Sequence, residues 1–144
     1  MISSSIEKPL PTPTPTSRRF WEAACEKVLA IQRCSNCDRH IFYPRNRCPH
    51  CWSDRLDWVT ASGDARLATF SVIHKPGHPA FAEETPYVVA LVDLVEGPRM
   101  LTNLRVPIDL IQIGMLLIVS WEERGDFTLP VFRMKDETDG GSPA

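Results

Sequence analysis

The spacing of apolar positions changes three times along this chain, and each change predicts a different kind of element. Trp21, Cys25, Val28 and Leu29 recur at helical intervals, with Phe20 and Ala24 beside them and Glu22, Glu26 and Lys27 opposite. This predicts an amphipathic helix from Arg18 to about Val28 with a wide aromatic face and Ser17 as its N-cap. Leu29–Ile31 then predicts a short strand. From Cys34 to Cys51 little apolar material occurs beyond Ile41-Phe42-Tyr43, too little for burial alone to hold the segment together.

After Leu56 the texture becomes that of a β domain. Strands are predicted at Leu56–Ala61, Ala65–His74, Tyr87–Leu94, Arg99–Leu104, Met115–Glu122 and Phe127–Arg133, separated by turn residues such as Ser62-Gly63-Asp64 and Glu96-Gly97-Pro98. Val106–Ile111 predicts one helical turn late in the order. Five or six short strands with such an interruption suit an OB-fold barrel. Tyr87–Val92 and Met115–Val119 are apolar without alternation, whereas a small barrel needs only the inward half of each strand. Their outward side must be covered by the chain's own helix and ribbon, by another subunit, or by both.

The ends read differently. Prolines at 9, 11, 13 and 15 exclude helix and central strand from residues 1–16, which are expected to form an extended arm. Residues 136–144 are polar and are expected to fray. The expected organisation is therefore an arm at 1–16, a helix region at 17–31, a ribbon at 32–56, a barrel at 57–135 and a tail at 136–144.

Composition narrows the function classes. The 144 residues, 43% apolar and 24% charged, suffice for one domain or two very small ones, not for the scaffold of a typical two-substrate enzyme. The net charge of −2 argues against a general nucleic-acid coat, but it hides a split: residues 17–60 carry eight Lys/Arg against five Asp/Glu, and residues 61–144 seven against twelve. No export signal or membrane-length apolar run is visible, so a reducing cytoplasm is expected. There, five cysteines do not suggest a disulfide framework.

Four of them have a better use. Cys34-x-x-Cys37 and Cys48-x-x-Cys51, ten residues apart, are two knuckles that aim four thiolates at one point. That predicts a tetrahedral, structural Zn²⁺ site; iron in a tetrathiolate and a redox thiol pair remain alternatives. Glycine often follows the second cysteine of a knuckle, but here Asp38 and Trp52 do. Trp52 suits the left-handed region poorly, so the second knuckle is expected to be less regular, with Trp52 packed against the ribbon or a neighbour. Cys25 reads as a small buried helix residue, His74 and His78 as loop histidines, and Glu83-Glu84 as a solvated pair. The sequence contains no Ser-His-Asp set, phosphate loop or histidine–carboxylate cluster, so no autonomous active site is expected.

From Phe20 to Phe132 the chain resembles the zinc-ribbon plus OB-fold acyl-CoA-associated family (domain of unknown function 35). The matching pieces are Phe20-Trp21, Gln32-x-Cys34-x-x-Cys37, Tyr43-Pro44-Arg45, Cys48-Pro49-x-Cys51, Trp58 with Ser62-Gly63, Pro86–Val92, Glu96–Arg99, Thr102-Asn103-Leu104, Ile113-Gly114 and Pro130-Val131-Phe132. The resemblance implies an N-terminal helix, a rubredoxin-like ribbon and a C-terminal OB-fold. It further implies a small, non-catalytic subunit of a thiolase-superfamily complex: a thiolase, an acyltransferase or a retro-aldol lyase of lipid or steroid metabolism. Such a subunit stabilises a catalytic partner in a hetero-oligomer, bridges it to a second acyl-CoA enzyme, or shapes the path of a coenzyme A thioester. Phe20, Trp21, Arg45 and Trp52 are the expected partner contacts. The alternative is a nucleic-acid-binding ribbon and OB module. It is disfavoured because the barrel is acidic and its aromatics are dispersed. A small independent enzyme using Cys25 or the histidines is the third reading.

Overall fold

A computed structural model describes residues 10–76 and 78–135. The predictions for residues 1–9 and for the tail from 136 lie outside the described residues. The helix α1 spans Arg18–Cys25, a turn shorter than its periodicity predicts. Its end is set by Lys27, whose φ of +61° reverses the chain. Lys27 N–H then donates to Ala24 and Val28 N–H to Ala23, the pair of bonds that closes a helix in a Schellman motif. Ser17 makes no side-chain cap bond to the helix. Instead Thr14 N–H donates to Ser17 Oγ (2.9 Å) while Ser17 N–H donates to Thr14 Oγ1 (3.1 Å), so the reciprocal cap sits three residues earlier. With this shorter span the buried face is Phe20, Ala23 and Ala24. Cys25, at the helix end, is exposed rather than buried.

Two sheets follow. In the first, β1 (Ala30–Cys34) lies between β2 (His40–Ile41) and β3 (Leu56–Thr60), both antiparallel to it. The sequence places β3 in the barrel region, yet it pairs with β1 from Ala30↔Thr60 to Cys34↔Leu56. The second sheet contains β4 (Asp64–Ile73), β5 (Tyr87–Leu94), β6 (Arg99–Arg105), β7 (Leu116–Arg124) and β8 (Phe127–Met134). It closes in the order β4-β5-β6-β8-β7, with β6 and β8 parallel and β7 returning to β4. This is the five-stranded Greek-key barrel of an OB-fold, with a single 3₁₀ turn (Ile108–Leu110) between β6 and β7.

Closure depends on local irregularities in β4. A bulge between Leu67 and Thr69 shifts the register, so Ala65 and Leu67 pair opposite Leu94 and Val92, while Phe70 and Val72 pair opposite Ala90 and Val88. The extra residue moves the inward positions from odd to even numbers and bends the strand. Gly63 makes the corner before β4 at φ +91°, and a Cβ there would lie 2.5 Å from Val119 Cγ1.

One core joins helix, ribbon and barrel. Phe20 of α1, Leu29 and Ile31 from the ribbon side, and Leu67, Val92, Met100, Leu117 and Phe132 of the barrel belong to a single buried cluster. Along β5 the burial alternates, with Val88, Ala90, Val92 and Leu94 buried and the intervening residues half-buried. The outward apolar positions are thus only partly covered within the chain, and Leu101 and Leu116 remain about half exposed. No helix among the described residues is long and apolar enough to cross a membrane.

Gly63→Ala is expected to lower stability by about 2–4 kcal/mol in urea melts, from a steric clash and a strained φ together. Adding Val119→Ala should recover the steric part but not the whole.

Candidate functional site

At the far end of the ribbon a second, much smaller core contains Cys34, Ile41 and Cys48, flanked by Cys37, Cys51 and Leu56. Two turns of the same construction deliver the thiols. The Cys34 carbonyl accepts from Asp38 N–H (2.7 Å), and the Cys48 carbonyl accepts from Trp52 N–H (2.8 Å). Asp38 and Trp52 adopt φ of +71° and +67°. The second knuckle is therefore as regular as the first, contrary to expectation. Trp52 is not packed against the ribbon either, since it is 73% exposed. The turn needs a backbone reversal, and in the open an indole can follow it without meeting a neighbour.

The four Sγ atoms lie within 4.8 Å of one another, with Cys34–Cys51 and Cys37–Cys48 both 3.6 Å apart. A tetrahedral Zn²⁺ with sulfur bonds of about 2.3 Å sets its ligands about 3.8 Å apart, so this donor set fits the ion. Its protonation chemistry agrees. The Asn36 side-chain amide, then the Ser53 backbone, hold the Cys51 thiol down to about 6. The Arg39 backbone favours the Cys37 thiolate, but desolvation and the thiols of Cys48, Cys51 and Cys34 push Cys37 up to about 11. Four negative sulfurs cannot share this volume without a dication, and binding one expels the remaining protons. His50 N–H, at 3.3 Å from Cys48 Sγ, and Asn36, at 3.4 Å from Cys51 Sγ, supply further donors to the sulfurs. His40 and His50 contribute no ring atom to the cluster.

Between the ribbon and the β5–β6 turn lies an open cleft of about 530 Å³. The ribbon contributes Arg39, His40, Arg45 and His50, and the turn contributes Glu96 to Arg99. Arg39 lies 3.1 Å from His50 Nδ1. Arg99 binds Asp93 through Nε at 2.7 Å, which lowers the carboxyl pKa of Asp93. The residue that shapes the ribbon wall is Gln32, 5% exposed. Its amide donates to the Arg45 carbonyl (2.9 Å) and accepts from Arg45 N–H (2.8 Å), clipping the 43–47 loop to β1. The sequence marks Gln32 as a motif residue without assigning it a task; a glutamine two positions before a knuckle cysteine is the signal it offers.

Beside this cleft is an apolar groove of about 320 Å³, lined among others by Trp21, Phe42, Tyr43, Leu101 and Pro130. Of the four expected partner contacts, Phe20 is inside the core, 4.9 Å from the Trp21 ring and 5.7 Å from that of Phe42. Trp21 is half-buried at the groove, while Arg45 and Trp52 project into solvent. His78 caps the 3₁₀ turn Pro79–Glu84 by accepting from Ala80 N–H at 3.0 Å.

A four-thiolate ribbon sharing its core with an OB barrel defines a class of metal-stapled, two-module proteins. Residues 21–57 match the family described as "ChsH2, rubredoxin-like zinc ribbon domain", and residues 58–122 match "ChsH2, C-terminal OB-fold domain". The chain belongs to this ChsH2-type, DUF35 family. A solved structure, "Ltp2-ChsH2(DUF35) aldolase", is 43% identical with a TM-score of 0.78, covering 87% of this chain and 98% of that one. The "probable enoyl-CoA hydratase alpha subunit" of Thermomonospora curvata is 48% identical over 117 residues, which is 79% of this chain but 36% of that protein. "Benzoylsuccinyl-CoA thiolase subunit BbsA" of Geobacter metallireducens is 29% identical, covering 73% of this chain and 64% of the relative. The chain thus spans about a third of the first relative and under two thirds of the second.

Elemental analysis of protein purified in reducing buffer should find about one zinc per chain, abolished by Cys37→Ser or Cys48→Ser. Gln32→Ala should keep the metal yet cost about 1–3 kcal/mol, because it strands two backbone groups of Arg45.

Proposed function

We propose that this chain is a non-catalytic accessory subunit of a thiolase-superfamily acyl-CoA enzyme, a thiolase, acyltransferase or retro-aldol lyase. In this reading it stabilises the catalytic partner and lines part of the acyl-CoA path. The observation that carries the proposal is the correspondence along nearly the whole of a ChsH2(DUF35) chain whose structure is described as an aldolase with Ltp2. The names of the hydratase and thiolase relatives, both subunits, point the same way.

The geometry suggests how such a subunit would act. The zinc ribbon holds the Arg39 and Arg45 backbone against the barrel turn, so that guanidinium groups from two modules converge on one cleft. Planar guanidinium groups bind phosphate oxygens through paired hydrogen bonds, and coenzyme A carries three phosphates. Arg45, whose backbone is held by Gln32, is the clearest candidate, while Arg99 is already half-neutralised by Asp93. The nucleophile and base for the reaction belong to the partner in this reading, and the exposed Cys25 takes no part.

Co-expression with a thiolase-like catalytic subunit is the test. A stable complex should form, turn over acyl-CoA, and keep its rate with Cys25→Ala in this chain. Arg45→Ala should raise KM for the thioester roughly 10- to 100-fold with little change in kcat, the range for losing one charged hydrogen-bonding group. Turnover by the isolated chain, or tight single-strand binding with a steep salt slope, would overturn the assignment.

A further inference from the structure

The two knuckles repeat one pattern, so their third residues correspond: Asn36 in Cys34–Cys37 and His50 in Cys48–Cys51. The matching 3.6 Å separations of Cys34–Cys51 and Cys37–Cys48 reflect the same two-fold arrangement of the sulfurs. By that symmetry the third residue of each knuckle faces the last cysteine of the other. Asn36 uses the position, and its Nδ2 lies 3.4 Å from Cys51 Sγ. His50 does not reach Cys37, for its Nδ1 lies 3.1 Å from Nη1 of Arg39.

The four sulfurs are therefore not equivalent. Cys34 and Cys48 are fully buried, at 0% exposure, whereas Cys37 and Cys51 are half-buried and within reach of small solutes. Cys51 has the Asn36 amide in addition to the Ser53 backbone. Cys37 has the Arg39 backbone, and among the described residues no side chain but the neighbouring thiols approaches its sulfur. A hydrogen bond to a metal-bound sulfur draws charge from it and occupies a side from which a reagent would approach. Cys37 alone combines access with the lack of such a cover.

We propose that Cys37 is the ligand at which soft electrophiles of the α,β-unsaturated carbonyl class enter the metal site, and that Asn36 is the positioning residue that withholds Cys51 from them. In the step, Cys37 Sγ bonds to the β-carbon of the alkene. The alkene electrons pass to the carbonyl as an enolate, which takes a proton from water. The sulfur becomes a neutral thioether, so the site loses an anionic ligand. Asn36 is the chain neighbour of Cys37, so opening the first knuckle also withdraws the cover from Cys51. One adduct thus prepares the second. The proposal rests on the zinc site and is independent of the accessory-subunit reading.

The test uses the full, zinc-loaded chain carrying Cys25→Ala, which removes the exposed thiol outside the cluster. Limiting N-ethylmaleimide is added, zinc release is followed with a chromophoric chelator, and adducts are placed by peptide mass spectrometry. Chains with a single adduct should carry it at Cys37 over Cys51 by at least about 10 to 1, the usual scale of an outer-shell effect at a metal site. Zinc release should keep pace with the Cys37 adduct. Asn36→Ala should keep one zinc per chain before the reagent is added and bring that ratio close to 1 to 1. Asn36→Asp, which keeps the shape without the donor, should do the same. First attack at Cys51 in the unsubstituted cluster, or a ratio unchanged in both variants, would overturn the proposal. Equal acceleration at all four cysteines would make Asn36 merely structural and overturn its positioning role. A chain purified without zinc would overturn the metal assignment together with the proposal.

Discussion

Four thiolates crowded within 4.8 Å are the constraint on which the ribbon depends. The cluster around them contains only three fully buried residues, two of them cysteines. So small a core offers little hydrophobic stabilisation against the entropy of ordering the knuckles. A dication replaces mutual repulsion with four strong bonds and makes the folded ribbon the state that binds it. The loop carrying Arg45, Arg47 and Trp52 is thereby tied to β1 at one end by Gln32 and at the other by Cys48 and Cys51.

The opposite end of the ribbon has no such weakness. Leu29 and Ile31 enter the same buried cluster as the barrel residues, and Phe20 closes it from the helix side. Ribbon and barrel are consequently joined by burial, not merely by the connecting residues, and the cleft between Arg45 and the Glu96–Arg99 turn is held from both walls. A site assembled from two modules gains definition when their core is continuous, because side chains packed on both sides resist relative motion. Exposed apolar residues remain elsewhere on the barrel, among them Val95, Ile113 and Leu116. Incomplete self-coverage of this kind suits a chain that works inside an assembly.

Much of this architecture is legible in the order of residues alone. The C-x₂-C pair spacing identifies all four clustered cysteines, and alternation between apolar and turn residues locates the barrel strands to within a residue or two. The differences between expectation and structure share one cause. Helix periodicity continues through Val28, but Lys27 adopts a left-handed conformation that a pattern of polarity does not register. Leu56–Thr60 has a strand's composition whichever sheet it joins, and its pairing with β1 is a contact between segments far apart in sequence. Cys25 shares the periodicity of Trp21, yet the helix stops at it and leaves it exposed.

Trp52 gives the sharpest contrast. Its sequence position predicts a disturbed knuckle and a ring packed against the ribbon or a neighbour, on the sound premise that bulky residues avoid positive φ. In the structure the backbone follows the knuckle geometry and the ring stands in solvent. By itself, the sequence determined the donor set, the barrel strands and the family, because these rest on residue chemistry, short-range spacing and the order of motifs; the two-residue strand β2 (His40–Ile41) carries too short a pattern to be read. Only the tertiary structure decided which sheet β3 joins, that Gln32 clips Arg45, and that three arginines from two modules share one cleft. Those features arise from groups distant in the chain, whose meeting depends on closure of the barrel and of the thiolate cluster together.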